Sequence, residues 1–191
     1  MSTKLTKLLQ SGMSVFTLND LGIIWGQKDR SATRQSARDY ASRGELVRLR
    51  QGVYALPQTQ LDPYTVANKL ITPSYVTGLS VLRDAGLSFQ YTNSVFSVAS
   101  YNKTHEVAGR AFVYSQIKAS VLYNSYGMDK AKAVSVASVE RAITDLIYLS
   151  KGRYPFEKIE RIDWGLLESC AEIYKSAFVL KAVETIKERY V

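Results

Sequence analysis

The side chains best suited to chemistry in this chain are basic, and seven of its 25 lysines and arginines fall between Lys28 and Arg50. Arginine can donate two hydrogen bonds to guanine in the major groove of DNA, and glutamine can pair in the same way with adenine. At 100° per residue, Arg34, Gln35 and Arg38 lie toward the same side of a helix. These three side chains are therefore chemically suited to contact bases from one side of a helix.

A helix must position these side chains, and the run from residue 30 to 43 contains neither glycine nor proline. Gly44 follows it, and glycine is typical of the position just after a helix C-terminus. The side away from the arginines is apolar and mostly small, which allows close packing: Thr33, Ala37, Tyr40 and Ala41. We therefore predict a helix from Arg30 to Arg43 with one buried and one exposed side.

Two shorter helices are predicted to precede it. Leucines at helical spacing indicate one near the N-terminus, ending at Ser11-Gly12. Thr17, with Asp20 three residues later, has the form of a capping box. A second helix is therefore expected to begin there and to end between Gly22 and Gly26.

A hairpin is predicted after the basic helix. Leu46–Arg50 and Val53–Leu56 alternate between apolar and polar residues and flank Gln51-Gly52, a turn. Strict alternation would place Arg48 and Arg50 on one strand face, where both could hold a phosphate backbone. Other residues are expected to contact DNA next to the three that face the bases. They are Lys28, Arg30, Ser31, Arg48 and Arg50, together with Gln51 in the turn.

The distribution of charge favours the same surface. Residues 1–60 carry nine lysines and arginines against four acidic residues, which gives +5 of the chain's formal charge of +8. An ordinary solvated helix and hairpin would also be polar outside, so the arginine side alone leaves that alternative open. Three helices, a hairpin wing and local positive charge together predict a winged helix-turn-helix that binds DNA.

The rest of the chain is predicted to form a second domain. Asp62-Pro63 resembles a helix N-cap followed by a first-turn proline, so the boundary is expected near residue 60. We predict an α+β fold, with a winged helix-turn-helix at residues 1–60 and a mixed α/β domain of a small sheet plus helices at residues 61–191. The expected elements are a helix from Thr72-Pro73 to Ala85-Gly86, strands at Val95–Ala99, Ala111–Tyr114 and Val134–Ala137, a helix from Ser138 to Leu149, and helical structure from Asp163 to the end.

No catalytic residue, metal site or cofactor is predicted. His105 is the single histidine and lies in a polar segment expected to be a loop. Cys170 is the single cysteine and lies on the apolar stripe of a helix, so it is expected to be a core residue. The sequence has no glycine-rich phosphate loop, and no apolar run approaches the roughly 18 residues of a membrane span, so a cytoplasmic location without membrane contact is expected.

One charged pair in the second domain is less easily assigned. Arg141 and Asp145 are one helical turn apart among apolar neighbours, and Glu140 precedes them. We favour a partly buried ion pair that fixes the helix against the sheet, and a contact with a ligand or partner is the alternative.

The 13 tyrosines are numerous for a chain of this length, and many lie in the second domain. Tyrosine can stack on single-stranded bases or anchor a protein interface, whereas scattered tyrosines mostly occupy half-buried positions. Their distribution in the sequence does not choose between these roles.

Two segments resemble the AbiEi family of antitoxins. Arg43–Tyr54 (RGELVRLRQGVY) is similar to the family's helix end and wing, and Val136–Leu146 (VASVERAITDL) is similar to its second-domain motif. Ile71–Val76 with Ala85-Gly86-Leu87 resembles the stretch that opens that domain. Many winged-helix regulators share the wing segment, so the specificity of the resemblance comes from its pairing with the second motif.

The resemblance implies the antitoxin of a bacterial type IV toxin-antitoxin, or abortive infection, module. Such a protein neutralises a nucleotidyltransferase-like AbiEii toxin without needing a stable complex, and represses its own operon by binding inverted repeats in promoter DNA. The alternatives are a plain winged-helix transcriptional regulator without a toxin partner and a module that binds protein or RNA. The sequence shows no set of residues arranged for catalysis, so an enzymatic role is not predicted.

Overall fold

The chain divides into two compact units, Met1–Leu70 and Ile71–Val191. The computed structural model describes residues 3–88, 92–131, 134–156, 159 and 161–190. Helices and sheets occur in both units, so the predicted α+β class is confirmed. The first unit extends ten residues beyond the boundary predicted near residue 60, because it includes the helix that begins at Pro63.

The first unit consists of helices around a small antiparallel sheet. In chain order its elements are α1 (Thr3–Gln10), β1 (Val15–Thr17), α2 (Leu18–Trp25), α3 (Arg30–Ser42), β2 (Val47–Arg50), β3 (Val53–Ala55) and α4 (Pro63–Leu70). The strands have the order β1-β3-β2. The three predicted helices and the hairpin are thus confirmed.

The start of α2 follows from two side chains. Thr17 Oγ1 accepts a hydrogen bond from the Asp20 backbone N–H at 3.2 Å, and Asp20 Oδ2 accepts one from the Thr17 backbone N–H at 2.8 Å. These bonds satisfy amides that have no partner within the helix, as predicted from the capping box. The helix ends at Trp25 and is capped by Gly26, whose φ of 69° suits a residue without Cβ.

A single apolar core holds α1, α2, α3 and the sheet together. Its buried members are Leu8, Phe16, Leu18, Leu21, Trp25, Ala37, Tyr40, Leu46 and Tyr54. The two from α3 come from the side predicted to face inward, so the orientation of that helix is confirmed.

Two features of this unit differ from the sequence-based prediction. Strand β1 pairs with β3 through three residues and was not predicted, because so short a run has no measurable alternation. In the hairpin, Arg48 pairs with Tyr54 but Arg50 pairs with Val53, so the register shifts between the two arginines. The strict alternation predicted for Arg48 and Arg50 is therefore wrong at this point, since an extra residue in one strand breaks the two-residue period.

The second unit combines a mixed sheet with helices. Its elements are β4 (Ser74–Val76), α5 (Leu79–Asp84), β5 (Val95–Ala99), β6 (Lys103–Val107), β7 (Arg110–Gln116), α6 (Ala119–Leu122), α7 (Val139–Ser150), α8 (Trp164–Glu172) and α9 (Ala177–Tyr190). The strand order is β4-β5-β7-β6, in which only β5 and β7 are parallel among these pairs. Helix α7 packs against α5, α8 and α9.

The sheet contains strands where the sequence predicted other structure. Ser74–Val76 forms β4 and not the first turn of a helix from Thr72-Pro73, although α5 ends close to the predicted position. His105 lies in β6 and not in a loop. This strand is at the edge of the sheet, where exposed positions favour polar residues. The alternation of apolar and polar residues that would predict a strand is therefore weak.

Two further corrections concern the C-terminal half. Val134–Ala137 makes isolated bridges, Val76 with Val136 and Met128 with Ala137, and is not a strand. The helical structure after Asp163 is broken between α8 and α9, and Val191 lies outside the described residues. Helix α7, capped by Ser138, is confirmed.

Within the described residues no helix has both the length and the apolar character needed to cross a bilayer.

Candidate functional site

Helix α3 presents one side to solvent. Arg34, Gln35 and Arg38 are exposed there, while Thr33, Ala37 and Tyr40 are buried on the opposite side. Asp29 caps the helix by accepting hydrogen bonds from the backbone N–H groups of residues 31 and 32 at 2.9 and 3.2 Å. The helix therefore offers two guanidinium groups and an amide on a fixed backbone.

Hydrogen bonds within α3 already involve some of its polar groups. Gln35 Nε2 donates to Asp39 Oδ1 at 2.8 Å, so the Gln35 amide is held along the helix and Asp39 adds a negative charge beside it. Arg43 Nε lies 2.5 Å from Glu45 Oε1, and its guanidinium lies over the Tyr40 ring at 4.6 Å. Arg43 is thus held at the C-terminal end of the helix, away from Arg34.

The other predicted DNA-contacting residues are also on the surface. Lys28, Arg30, Ser31, Arg48 and Gln51 are exposed, and Arg50 is half-buried. Lys28 and Arg30 line a groove of about 420 Å³ at the turn between α2 and α3. Cations therefore lie at the start of α3 and in the hairpin, the two places where a phosphate backbone would flank a helix in the major groove.

Helix α1 fixes the position of α3 relative to α2. Trp25 Nε1 donates to the Lys4 carbonyl at 3.2 Å, and Lys4 Nζ donates to Ser36 Oγ at 2.8 Å. Lys4 Nζ also lies over the Trp25 ring at 5.1 Å. One lysine thus joins all three helices and was not predicted, since no local pattern marks a contact between residues 4 and 36.

A second charged contact ties α4 to α2. Lys69 Nζ lies 2.9 Å from Asp20 Oδ2, the same oxygen that closes the capping box. Burial by itself would raise the pKa of Asp20, but the hydrogen bonds from Lys69 and Thr17 outweigh it and lower this pKa below its usual value. Asp20 is therefore held as a carboxylate.

Residues 4–57, which include α3 and the hairpin, match the model of a family described as "Transcriptional regulator, AbiEi antitoxin". The recognition of the AbiEi antitoxin family is confirmed over these residues. The family consists of regulatory antitoxins and is not a family of enzymes. The AbiEi match includes α3 and the hairpin and ends before the second unit begins. No curated protein matches the chain.

Beyond the AbiEi match, the second unit has a buried ion pair at its centre. Arg141 and Asp145 are both completely buried, with Arg141 Nε 3.4 Å from Asp145 Oδ1. The sequence predicted a pair only partly buried. Because neither side chain reaches the surface, a partner contact by this motif would have to come from Glu140, which is half-buried and accepts a hydrogen bond from the Asp163 backbone N–H at 3.2 Å.

Arg141 is held by backbone carbonyls as well as by its ion pair. Its Nη1 donates to the Tyr126 carbonyl at 2.7 Å, and its Nη2 donates to the Val121 carbonyl at 2.8 Å and to Tyr75 Oη at 3.1 Å. Burial by itself would lower the pKa of Arg141, but the adjacent Tyr75 and Asp145 raise it. The guanidinium therefore stays charged and pins the segment after α6 to α7.

Asp145 is satisfied by three hydroxyl groups from distant parts of the unit. Thr77 Oγ1 donates at 2.6 Å, Tyr75 Oη donates at 3.1 Å, and Tyr174 Oη also donates. Burial raises the pKa of Asp145, while Arg141 and these donors oppose the rise. Burial also raises the pKa of both tyrosines, which keeps their hydroxyls protonated as donors. None of these three partners was predicted.

Cys170 is buried next to this cluster. Burial raises the pKa of its thiol to about 11, so the thiolate that a nucleophile requires is scarce at neutral pH. A Cβ added to Gly127 would lie 2.6 Å from Cys170 Sγ, so the packing here is tight. The part of the chain that the structure describes holds no group of three or more potential metal ligands.

Proposed function

We propose that the first unit is a winged helix-turn-helix domain that binds double-stranded DNA. The observation that carries the proposal is the exposed side of α3, with Arg34, Gln35 and Arg38, inside the segment that matches AbiEi regulators. The element order supports it too, since α1, β1, α2 and α3 are followed by the β2–β3 hairpin as wing.

In this proposal α3 enters the major groove. Arg34 and Arg38 donate to guanine, and Gln35 contacts adenine once its amide leaves Asp39. Lys28, Arg30 and Ser31 hold phosphates at the start of α3, and the residues of the wing hold the flanking backbone: Arg48, Arg50 and Gln51. These outer contacts fix the register but carry no sequence information.

We further propose that the chain is an antitoxin that represses its own operon at inverted repeats. The family description supports both halves of this role. The proposed toxin is nucleotidyltransferase-like and need not form a stable complex with the antitoxin. We place the antitoxin in the cytoplasm. A plain regulator without a toxin, or a protein-interaction module, is the alternative that the following experiments distinguish.

DNA binding can be tested by fluorescence anisotropy with a duplex from the region upstream of the gene. Arg38→Ala should weaken binding by about 1 to 3 kcal/mol if it contacts a base in bidentate fashion, and should reduce the preference over a scrambled duplex. Arg43→Ala is the matched control, because it removes the same charge from an arginine that is paired with Glu45. Equal binding by the parent and Arg38→Ala would reject the docking arrangement.

The antitoxin half can be tested separately in cells. A nucleotidyltransferase-like product of the adjacent gene should arrest growth when induced alone, and co-expression of the full chain should restore growth. Arg38→Ala should still restore it when the chain is expressed from an unrelated promoter, because repression and neutralisation are separate activities in this proposal. Absence of rescue by the full chain would favour a plain regulator.

A further inference from the structure

The second unit contains an open cleft that the proposed function does not use. It has a volume of about 490 Å³ and is lined by Tyr148, Leu149 and Lys151 at the end of α7 and by Phe178 at the start of α9. Small-molecule sites typically have volumes of about 300 to 1,000 Å³, whereas protein partners usually bury about 800 Å² on each side. The cleft therefore fits a compact ligand.

One wall of the cleft offers an aromatic ring to solvent. Phe178 is 47% exposed although it is large and apolar. Gly152 makes room for it, because a Cβ there would lie 3.1 Å from the Phe178 Cζ atom. A planar group entering the cleft can stack on this ring, and base–aromatic stacking tolerates any base because every base has a π-face.

The lining also includes a second ring, Tyr148, with a cation against it. The Tyr148 and Tyr174 rings are 5.0 Å apart, and Lys118 Nζ lies 5.5 Å from the centre of the Tyr148 ring. Tyr174 is fixed in turn by its hydrogen bond to Asp145. The buried cluster thus supports this ring, and Lys118 places an ammonium group beside the cleft.

Two cations lie at the rings of the cleft. Lys151 lines the cleft, and Lys118 lies against the ring of Tyr148, which also lines it. An anionic group is therefore favoured beside the aromatic rings.

From this combination we propose that the cleft binds a phosphorylated nucleobase, with the base stacked on Phe178 and the phosphates facing Lys118 and Lys151. Two sources share this chemistry, a free nucleotide and a nucleotide of a single strand. The site lies wholly in the second unit and does not depend on the proposed binding of duplex DNA by α3.

Binding can be measured with the full chain and a ribonucleoside triphosphate that carries a fluorescent label on the ribose. Unlabelled nucleoside triphosphate should displace the label at lower concentration than either adenosine, which lacks phosphate, or inorganic triphosphate, which lacks a base. A short single-stranded oligonucleotide that competes better than the mononucleotide would identify a strand as the source. Equal or weaker competition by the oligonucleotide would identify the free nucleotide as the ligand.

Matched variants locate the site. Phe178→Ala and Lys118→Gln should each weaken binding about tenfold, the order of magnitude expected for a lost base stack or phosphate contact. Leu180→Ala on the same helix and Lys103→Gln in β6 are the controls, because both residues are exposed but do not line the cleft. Arg38→Ala should leave nucleotide binding unchanged, which separates this site from the DNA-binding surface.

Three results would overturn the proposal. The first is an absence of displacement by nucleoside triphosphate. The second is displacement that Phe178→Ala and Lys118→Gln leave unaffected while circular dichroism shows both variants folded. The third is binding of an acidic peptide with aromatic residues in the absence of any nucleotide binding. If Phe178→Ala abolishes that peptide binding, the cleft is a protein-docking site.

Discussion

Arginine has opposite roles in the two units. On α3, Arg34 and Arg38 extend into solvent from a helix whose other side is apolar. In α7, Arg141 is completely buried, and its donors are used by Asp145, a tyrosine hydroxyl and two carbonyls. Removing an arginine that is held in this way leaves its buried partners unpaired, whereas an arginine that extends into solvent keeps its donors available for a ligand.

The difference lies in the consequence of removing each side chain. An exposed charge contributes little to the stability of the fold, so loss of Arg38 should affect DNA binding and leave folding nearly unchanged. Loss of one member of a buried pair leaves an uncompensated charge in the interior. Substitutions in the two units should therefore separate binding from stability.

The largest expected effect is on the buried pair. Asp145→Asn should lower the free energy of unfolding by about 3 to 5 kcal/mol, because Arg141 would remain buried without its carboxylate. Urea denaturation followed by circular dichroism measures the loss. Glu45→Gln, which breaks the exposed pair with Arg43, is the control and should cost less than about 1 kcal/mol. Similar losses of unfolding free energy in both variants would contradict the proposed difference between the buried and the exposed ion pair.

The second effect tests the tight packing around Arg141. Gly127→Ala should destabilise the protein by about 2 to 3 kcal/mol, because the new Cβ meets both Cys170 and Arg141 and the position requires a positive φ. The added Cβ would lie 2.6 Å from Cys170 Sγ and 3.1 Å from Arg141 Cβ. Gly86→Ala has the same φ of +71° in open space, so it isolates the backbone penalty. A loss no greater than that of Gly86→Ala would contradict the packing described.

A smaller effect concerns Asp20, the acidic residue that caps α2. Because its folded pKa is lowered, its contribution to stability is full above the unfolded pKa, near 3.9, and is lost as the pH falls through the folded pKa. Asp20→Asn should therefore cost about 1 kcal/mol at pH 7 and progressively less below about pH 4. Thermal unfolding from pH 2 to 7 measures this, and a constant difference between parent and variant would contradict it.

The smallest effect sharpens the description of the α3 surface. Asp39 is exposed beside Gln35 and places a negative charge on the side proposed to face DNA. Asp39→Asn should strengthen binding to any duplex by roughly 0.5 kcal/mol at low salt, because one like-charge repulsion is removed. Anisotropy titrations against upstream and scrambled duplexes test this, and unchanged or weaker binding to both would indicate that this side of α3 faces away from DNA.

Local patterns were sufficient to predict much of the first unit. The capping box of Thr17 and Asp20 and the apolar side of α3 are short-range features, and both are present in the structure. Strand β1 was missed because it has three residues, and β6 was missed because an edge strand is mostly polar. These strands are defined by their partners and not by their own sequence.

The surroundings of the predicted pair could not be deduced from spacing. The separation of four residues predicted that Arg141 and Asp145 meet, and they do. Tyr75, Thr77 and Tyr174 reach Asp145 from 29 to 70 residues away along the chain. Such contacts depend on tertiary packing, so a single sequence indicates the pair but not the depth of its burial.

In the proposed binding mode, the exposed cations of the first unit bind DNA and α3 recognises its sequence. The most direct test is a salt titration of the affinity for the upstream duplex and for a scrambled duplex of equal length. We predict that both affinities fall steeply with salt, because phosphate contacts release counterions, while the preference for the upstream duplex persists. An affinity that does not vary with salt, or no preference for the upstream sequence at any salt concentration, would contradict the claim.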